Sequence, residues 1–176
     1  MKEVILLKYG EIVLKGLNRG YFDKLLLRRV KAVLNSFGGE YDTHYSQSTL
    51  VIRPRNDDCD VRGLADMLKK VFGIAALCRA LVCEKRFDSV AERAPEYLEE
   101  VLSGARTFKV EAKRPDKAFP MKSPEICREL GGILLDKFPH LTVDVNHPEV
   151  IVTVEIRDTN AYVHADRRPG AGGLPV

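Results

Sequence analysis

The chain has 176 residues, 45% of them apolar, a formal net charge of +3 and four cysteines. That supplies the core of one domain or of two small ones, and the overall charge is too mild to demand a polyanionic partner. Cys59, Cys78, Cys83 and Cys127 are scattered without a CxxC spacing, which argues against a zinc site or a disulfide framework, and no apolar run approaches membrane-spanning length. Val4–Leu7 is too short for a signal-peptide core and is followed by Lys8. Together these features predict a cytoplasmic protein with reduced thiols, no metal site and no membrane partner.

In chain order, Val4–Leu7 reads as a buried strand, and residues 10–20 as a loop carrying Lys15 and Arg19. Those two cations are secondary candidates for phosphate contact, although a solvated loop is the plainer reading. Tyr21, Phe22, Leu25, Leu26, Val30, Val33 and Leu34 recur at helical spacing, and Gly38-Gly39 ends that helix. Tyr41–Tyr45 and Leu50–Arg53 predict two strands. A helix carrying Leu64, Met67, Leu68 and Val71 follows, ended at Gly73, and then a strand over Ile74–Cys83. The acidic run Asp57, Asp58 and Asp60 is explained by capping that helix. The order strand, helix, strand, strand, helix, strand is the split βαβ, or ferredoxin-like, pattern.

In the second half, Asp88 or Ser89 is expected to cap a helix over Val90–Leu102, which Pro95 should delay or kink. Phe108, Val110 and Ala112 alternate with Lys109, Glu111 and Lys113, which predicts a half-buried strand. A basic loop follows, with Lys113, Arg114, Lys117 and Lys122 between Pro115 and Pro120. Ser123 is the expected N-cap of the next helix, with Pro124 at its first position. From Arg106 to Arg128 there are seven basic residues against three acidic ones, a local excess of four in a chain whose net charge is only +3. Basic side chains beside a helix N-terminus suit phosphate. Gly131-Gly132 inside that helix costs about 1 kcal/mol per glycine relative to alanine, which suggests a face something approaches closely: a core neighbour or a ligand backbone. Thr142–Val145 is a brief extended segment. Val150, Val152, Val154 and Ile156 predict a strand that returns as Ala161–Ala165 and runs into Arg167 and Arg168. No nucleophile elbow, HExxH or paired-cysteine motif is present. Cys127 near a helix start is the one thiol whose pKa a helix dipole would lower, although a small core residue is the plainer reading. His164 reads as a half-exposed strand residue.

These pieces resemble the N-terminal half of the tRNA 4-thiouridine synthetases. The carriers are Lys8-Tyr9-Gly10-Glu11-Ile12 with Leu14-Lys15-Gly16, Asn18-Arg19 and Phe22, and Val71-Phe72-Gly73-Ile74. Further on they are Phe108-Lys109-Val110, Lys113-Arg114, Phe119, Glu129, Gly131-Gly132 and Asp144-Val145-Asn146 with Pro148. The resemblance implies an α+β chain: a ferredoxin-like βαββαβ domain over 1–84, an α/β THUMP RNA-binding domain over 85–168, and over 169–176 the start of a linker to a PP-loop catalytic domain outside this chain. It implies that Lys113, Arg114, Lys117, Lys122, Arg128, Gly131, Gly132, Arg167 and Arg168 hold the acceptor stem and 3′ end of a tRNA. No catalytic residue is implied here. ATP and magnesium would serve the catalytic domain, a desulfurase would supply sulfur, and a homodimer and a role in thiamine thiazole synthesis attach to such proteins. The rival expectations are the RNA-binding half of another THUMP-bearing modifier, such as a methyltransferase, and a non-catalytic regulatory or association module.

Overall fold

A computed structural model describes residues 2–8, 19–46, 49–72 and 76–167, with the backbone alone at 19–23 and 71–72. Contacts divide the chain into two compact units, one over residues 2–80 and one from residue 81 onward.

The first unit is built from β1 (Glu3–Lys8), α1 (Arg19–Phe37), β2 (Tyr41–Ser46), β3 (Thr49–Pro54), α2 (Val61–Phe72) and the opening residues of β4 (Ala76–Glu84). Its strand order is β2-β3-β1-β4, with β3 antiparallel to both β1 and β2. This is the ferredoxin-like arrangement read from the element order. Ile5, Leu7, Leu50 and Ile52 meet Leu26, Val30, Leu34, Leu64 and Leu68 in one core. Gly38 and Gly39 have φ of 92° and 100°, a conformation in which a side chain would be strained. The Gly38 N–H donates to the Leu34 carbonyl at 2.9 Å and closes α1. Asp60 caps α2, its Oδ1 accepting from the Gly63 N–H at 3.0 Å, so the acidic run is structural there.

The second unit continues with the remainder of β4, then α3 (Phe87–Tyr97), α4 (Glu99–Ser103), β5 (Thr107–Lys113), α5 (Ser123–Lys137), β6 (Thr142–Val143), β7 (Val150–Ile156) and β8 (Asn160–Arg167). Residues 81–84 of β4 pair antiparallel with β8, β8 antiparallel with β7, β7 parallel with β5, and β5 parallel with β6. Helices α3 and α5 cover one face. Val150, Val152, Val154 and Ile156 pack there with Phe108, Val90, Ile126, Leu130 and Leu134.

Four local expectations are corrected. Pro95 neither delays nor kinks α3: it sits in the last turn, and Leu98, at φ −90° and ψ 1°, separates α3 from α4. Ser89 does not cap α3; its hydroxyl accepts the Glu84 N–H at 3.1 Å. Ser123 is the first residue of α5, and the capping position falls to Lys122, which provides no side-chain cap. Strand β7 is buried along its whole length and carries charge inside. Glu155 is fully buried and accepts from Arg157 Nη2 and from His164 Nε2, each at 2.6 Å. His164 is thus a buried hydrogen-bonded residue, not a half-exposed one.

Candidate nucleic-acid interface

The basic loop occupies the carboxyl end of β5, and its shape is set by side-chain bonds to its own backbone. Arg114 Nη1 donates to the carbonyl of Lys117 at 2.9 Å and to those of Asp116 and Phe119 at 3.4 Å, so that nitrogen is spent on the loop itself. Its Nε is buried without a partner among the described residues. Asp116 Oδ1 accepts the Ala118 N–H at 3.0 Å. Its Oδ2 pairs with the Lys85 ammonium, which also donates to the Asp158 carbonyl at 2.9 Å. Phe119 turns back into the core. The Lys85 hydrogen bond, and after it the Ala118 N–H, hold the Asp116 carboxyl below the usual carboxylate range. A depressed carboxyl keeps its pairing above that range and loses it as the pH falls through the lowered value, so the contact is intact at neutral pH.

Lys113, Lys117 and Lys122 are exposed and have no ion pair among the described residues. Lys122 adjoins the first turn of α5, where no side chain caps the free N–H groups. Lys113 stands apart from the other two. Phe108, Val110 and Ala112 pack toward the helices, while Lys109 and Glu111, paired at 3.0 Å, take the opposite parity of β5. Lys113 shares that parity and faces away from α5.

Other candidates lie elsewhere. Glu125, Arg128, Glu129, Gly132 and Asp136 form the exposed stripe of α5, where three acids outnumber one arginine, so the positive surface stops at the first turn. Gly131 is buried, and a Cβ there would meet Val110 Cγ2 at 4.0 Å; a Cβ at Gly132 would meet nothing within 4 Å. Arg167 is not brought to the loop. Its register partner is Val150, which faces Phe108, whereas Lys113 faces Glu155. Five strand residues, about 17 Å at 3.3 Å per residue, therefore separate the two ends. Arg167 instead sits 3.5 Å from Glu149 and from the Gly104 carbonyl. Lys15 and Arg168 lie outside the described residues, as does the Arg19 side chain.

Neither Cys127 nor Cys83 is an activated thiol. Burial, and then the charge of Glu111, push the Cys127 thiol up rather than down, which overturns the dipole expectation. Burial raises Cys83 to about 11. Among the described residues no three His, Cys, Asp or Glu side chains are placed to hold a metal ion, and no helix is long and apolar enough to cross a membrane. A cleft of about 390 Å³ beside α3 is lined by Glu84, Arg86, Ser89, Glu92, Arg93 and Glu96. With three carboxylates against two guanidiniums it does not suit a phosphate chain. What sequence reasoning missed is the role of Lys85, which contacts groups 31 and 73 residues away. No local spacing signals that.

Comparison with known proteins agrees with the fold. Residues 4–78 match the ThiI ferredoxin-like domain and residues 84–166 match the THUMP domain. The chain is 40% identical to the "Probable tRNA sulfurtransferase" of Alkaliphilus oremlandii and 38% identical to that of Acetivibrio thermocellus. In both cases all of this chain is covered and 45% of the relative. A solved 4-thiouridine synthetase–RNA complex with bound ATP superimposes with a TM-score of 0.76 at 29% identity, over 98% of this chain and 45% of that one. PH1313 from Pyrococcus horikoshii shares the fold, with a TM-score of 0.79 at 24% identity over 93% of this chain and 54% of its own. The fold and these matches define a protein with a ferredoxin-like domain followed by a THUMP domain. Over its whole length the chain is similar to the tRNA sulfurtransferases, and it spans less than half the length of the curated relatives it matches.

Proposed function

We propose that this chain is the tRNA-binding portion of an ATP-dependent tRNA 4-thiouridine synthetase, its THUMP domain holding the acceptor 3′ end. The observation that carries this reading is the pair of exposed lysines, Lys117 and Lys122, in the loop that leads into the uncapped first turn of α5, in a chain whose structural neighbour is an RNA complex. The two ammonium groups neutralise phosphates and release counterions. The first-turn N–H groups add a fixed positive end. Such contacts fix the position of a strand rather than read its sequence, and recognition of an RNA end by shape, phosphate and 2′-hydroxyl needs no more.

In this reading the replacement of a uridine oxygen by sulfur, with its ATP and magnesium, belongs to a PP-loop domain in the length of the relatives that this chain does not span. A desulfurase supplies the sulfur, two subunits serve one tRNA, and the protein works in the cytoplasm. A thiamine thiazole role is checked by whether loss of the gene creates a thiazole requirement.

The test is a titration with intact tRNA and with tRNA trimmed of its 3′ end. Tighter binding of the intact molecule supports the acceptor-end reading. Equal weak binding of both removes it.

A further inference from the structure

The loop that carries Lys117 does not hold its shape through apolar packing alone. Phe119 anchors one end of it in the core. The remainder depends on Arg114 Nη1 reaching three carbonyls and on Lys85, which belongs to no basic cluster in the sequence. The Lys85 ammonium bridges the Asp116 carboxylate of this loop to the Asp158 carbonyl of the β7–β8 turn. Lys85 and Asp116 are each about a quarter exposed, at 25% and 26%, so the pair is screened less than one in open solvent.

We infer that Lys85 is a positioning residue for RNA binding: its clasp on Asp116 and the Asp158 carbonyl fixes the shape of the 114–119 loop that presents Lys117. This inference rests on the RNA-binding reading. It makes Lys85, despite its charge, a residue that touches no phosphate, and it makes the acidic Asp116 a contributor to polyanion binding.

The second consequence allows a test in which two explanations differ in sign. Asp116→Asn removes a negative charge from the loop, and an asparagine oxygen still accepts the Ala118 N–H. If only charge matters, tRNA binds more tightly. If the clasp matters, affinity falls about fivefold, the upper range for pairs of this exposure. Lys85→Met should fall by a similar factor, and Lys85→Arg should recover most of it. In both weakened variants the slope of log affinity against log salt should match the parent, because no phosphate contact is lost. Lys117→Ala should lower that slope by about one.

Tighter or unchanged binding by Asp116→Asn overturns the inference, and so does a slope reduced by about one in Lys85→Met. Both leave the RNA reading standing provided Lys117→Ala still weakens binding. If Lys117→Ala binds like the parent, RNA does not bind at this loop, and the inference fails with the interface it rests on, whereas the tRNA titration tests RNA binding itself. Thermal melts of each variant separate loss of the loop from loss of the fold.

Discussion

Both ends of the second unit's sheet carry cations, and they treat them differently. At the far end, Arg167 lies 3.5 Å from Glu149, and the same carboxylate accepts the Arg106 N–H at 2.9 Å. There the positive charge is answered by this chain. At the loop end the negative groups are drawn inward: Asp116 is held by Lys85, and Glu155 is buried against Arg157 and His164. Lys117 and Lys122 are left outward without an ion pair among the described residues. The difference shows that a basic surface is made as much by where acids are sequestered as by where lysines occur. A count of charges along the chain marks both ends as basic; the register and the ion pairs separate them.

The largest effect that can break this comparison lies beneath the loop end. Glu155→Gln removes the charge from a fully buried carboxylate that Arg157, itself 5% exposed, holds at 2.6 Å. Breaking a buried ion pair from one side costs about 3–5 kcal/mol. Chemical denaturation should show that loss, with the midpoint moving and the slope retained. A loss below about 1 kcal/mol would mean that Glu155 behaves like a surface partner and that the two ends differ less than the burial suggests.

The next effect falls on binding. Lys117→Ala combined with Lys122→Ala should weaken tRNA binding about tenfold and lower the salt slope by about two, one for each phosphate contact. Stability should be unaffected, because both side chains are exposed. Filter binding across a salt series measures affinity and slope together. An unchanged slope would move the interface elsewhere.

Gly132→Ala sharpens the boundary of the surface. Nothing lies within 4 Å of the added Cβ and no positive φ holds the glycine in place, so the substitution should stabilise α5 by about 1 kcal/mol. The stripe around Gly132 is acidic on balance, and tRNA affinity should stay at the parent value. A gain in melting temperature accompanied by weaker binding would extend the interface along the helix, as the double glycine suggested from sequence.

The fold was legible because periodicity reports it directly. The alternation of Phe108, Val110 and Ala112, the spacing of Leu26, Val30 and Leu34, and the Gly38-Gly39 stop are all local signals, and each element stands where they point. The site was legible only in part. Lys117 and Lys122 are exposed because they lie in a loop punctuated by prolines, which sequence shows. Arg114 beside them spends a guanidinium nitrogen on backbone carbonyls, which sequence does not show, because nothing in a basic run distinguishes an outward arginine from one that closes its own loop. His164 read as a half-exposed strand residue for a similar reason. Alternation predicts which face a side chain takes but says nothing of what covers that face. Arg167 was misplaced relative to the loop by a topological fact: β7 is parallel to β5 and β8 antiparallel to β7, so the end of β8 returns to the start of β5.

The smallest effect is the one on which the comparison finally turns. Arg167→Ala removes an arginine whose side chain is 54% exposed and whose contacts with Glu149 and Gly104 are both 3.5 Å long. Exposed pairs of this kind are worth about 0.2–1 kcal/mol, and the Glu149 carboxylate keeps its bond from the Arg106 N–H. The variant should therefore lose at most that much stability, and its tRNA affinity and salt slope should match the parent. That contrast with the double lysine variant is stronger than either measurement alone. Both remove exposed positive charge from the same unit, so general electrostatic attraction would weaken binding at both ends. Only a localised interface leaves the Arg167 variant unchanged. If it instead lowers the salt slope by about one, RNA reaches across some 17 Å of sheet to the far end, and the loop is one edge of a larger surface.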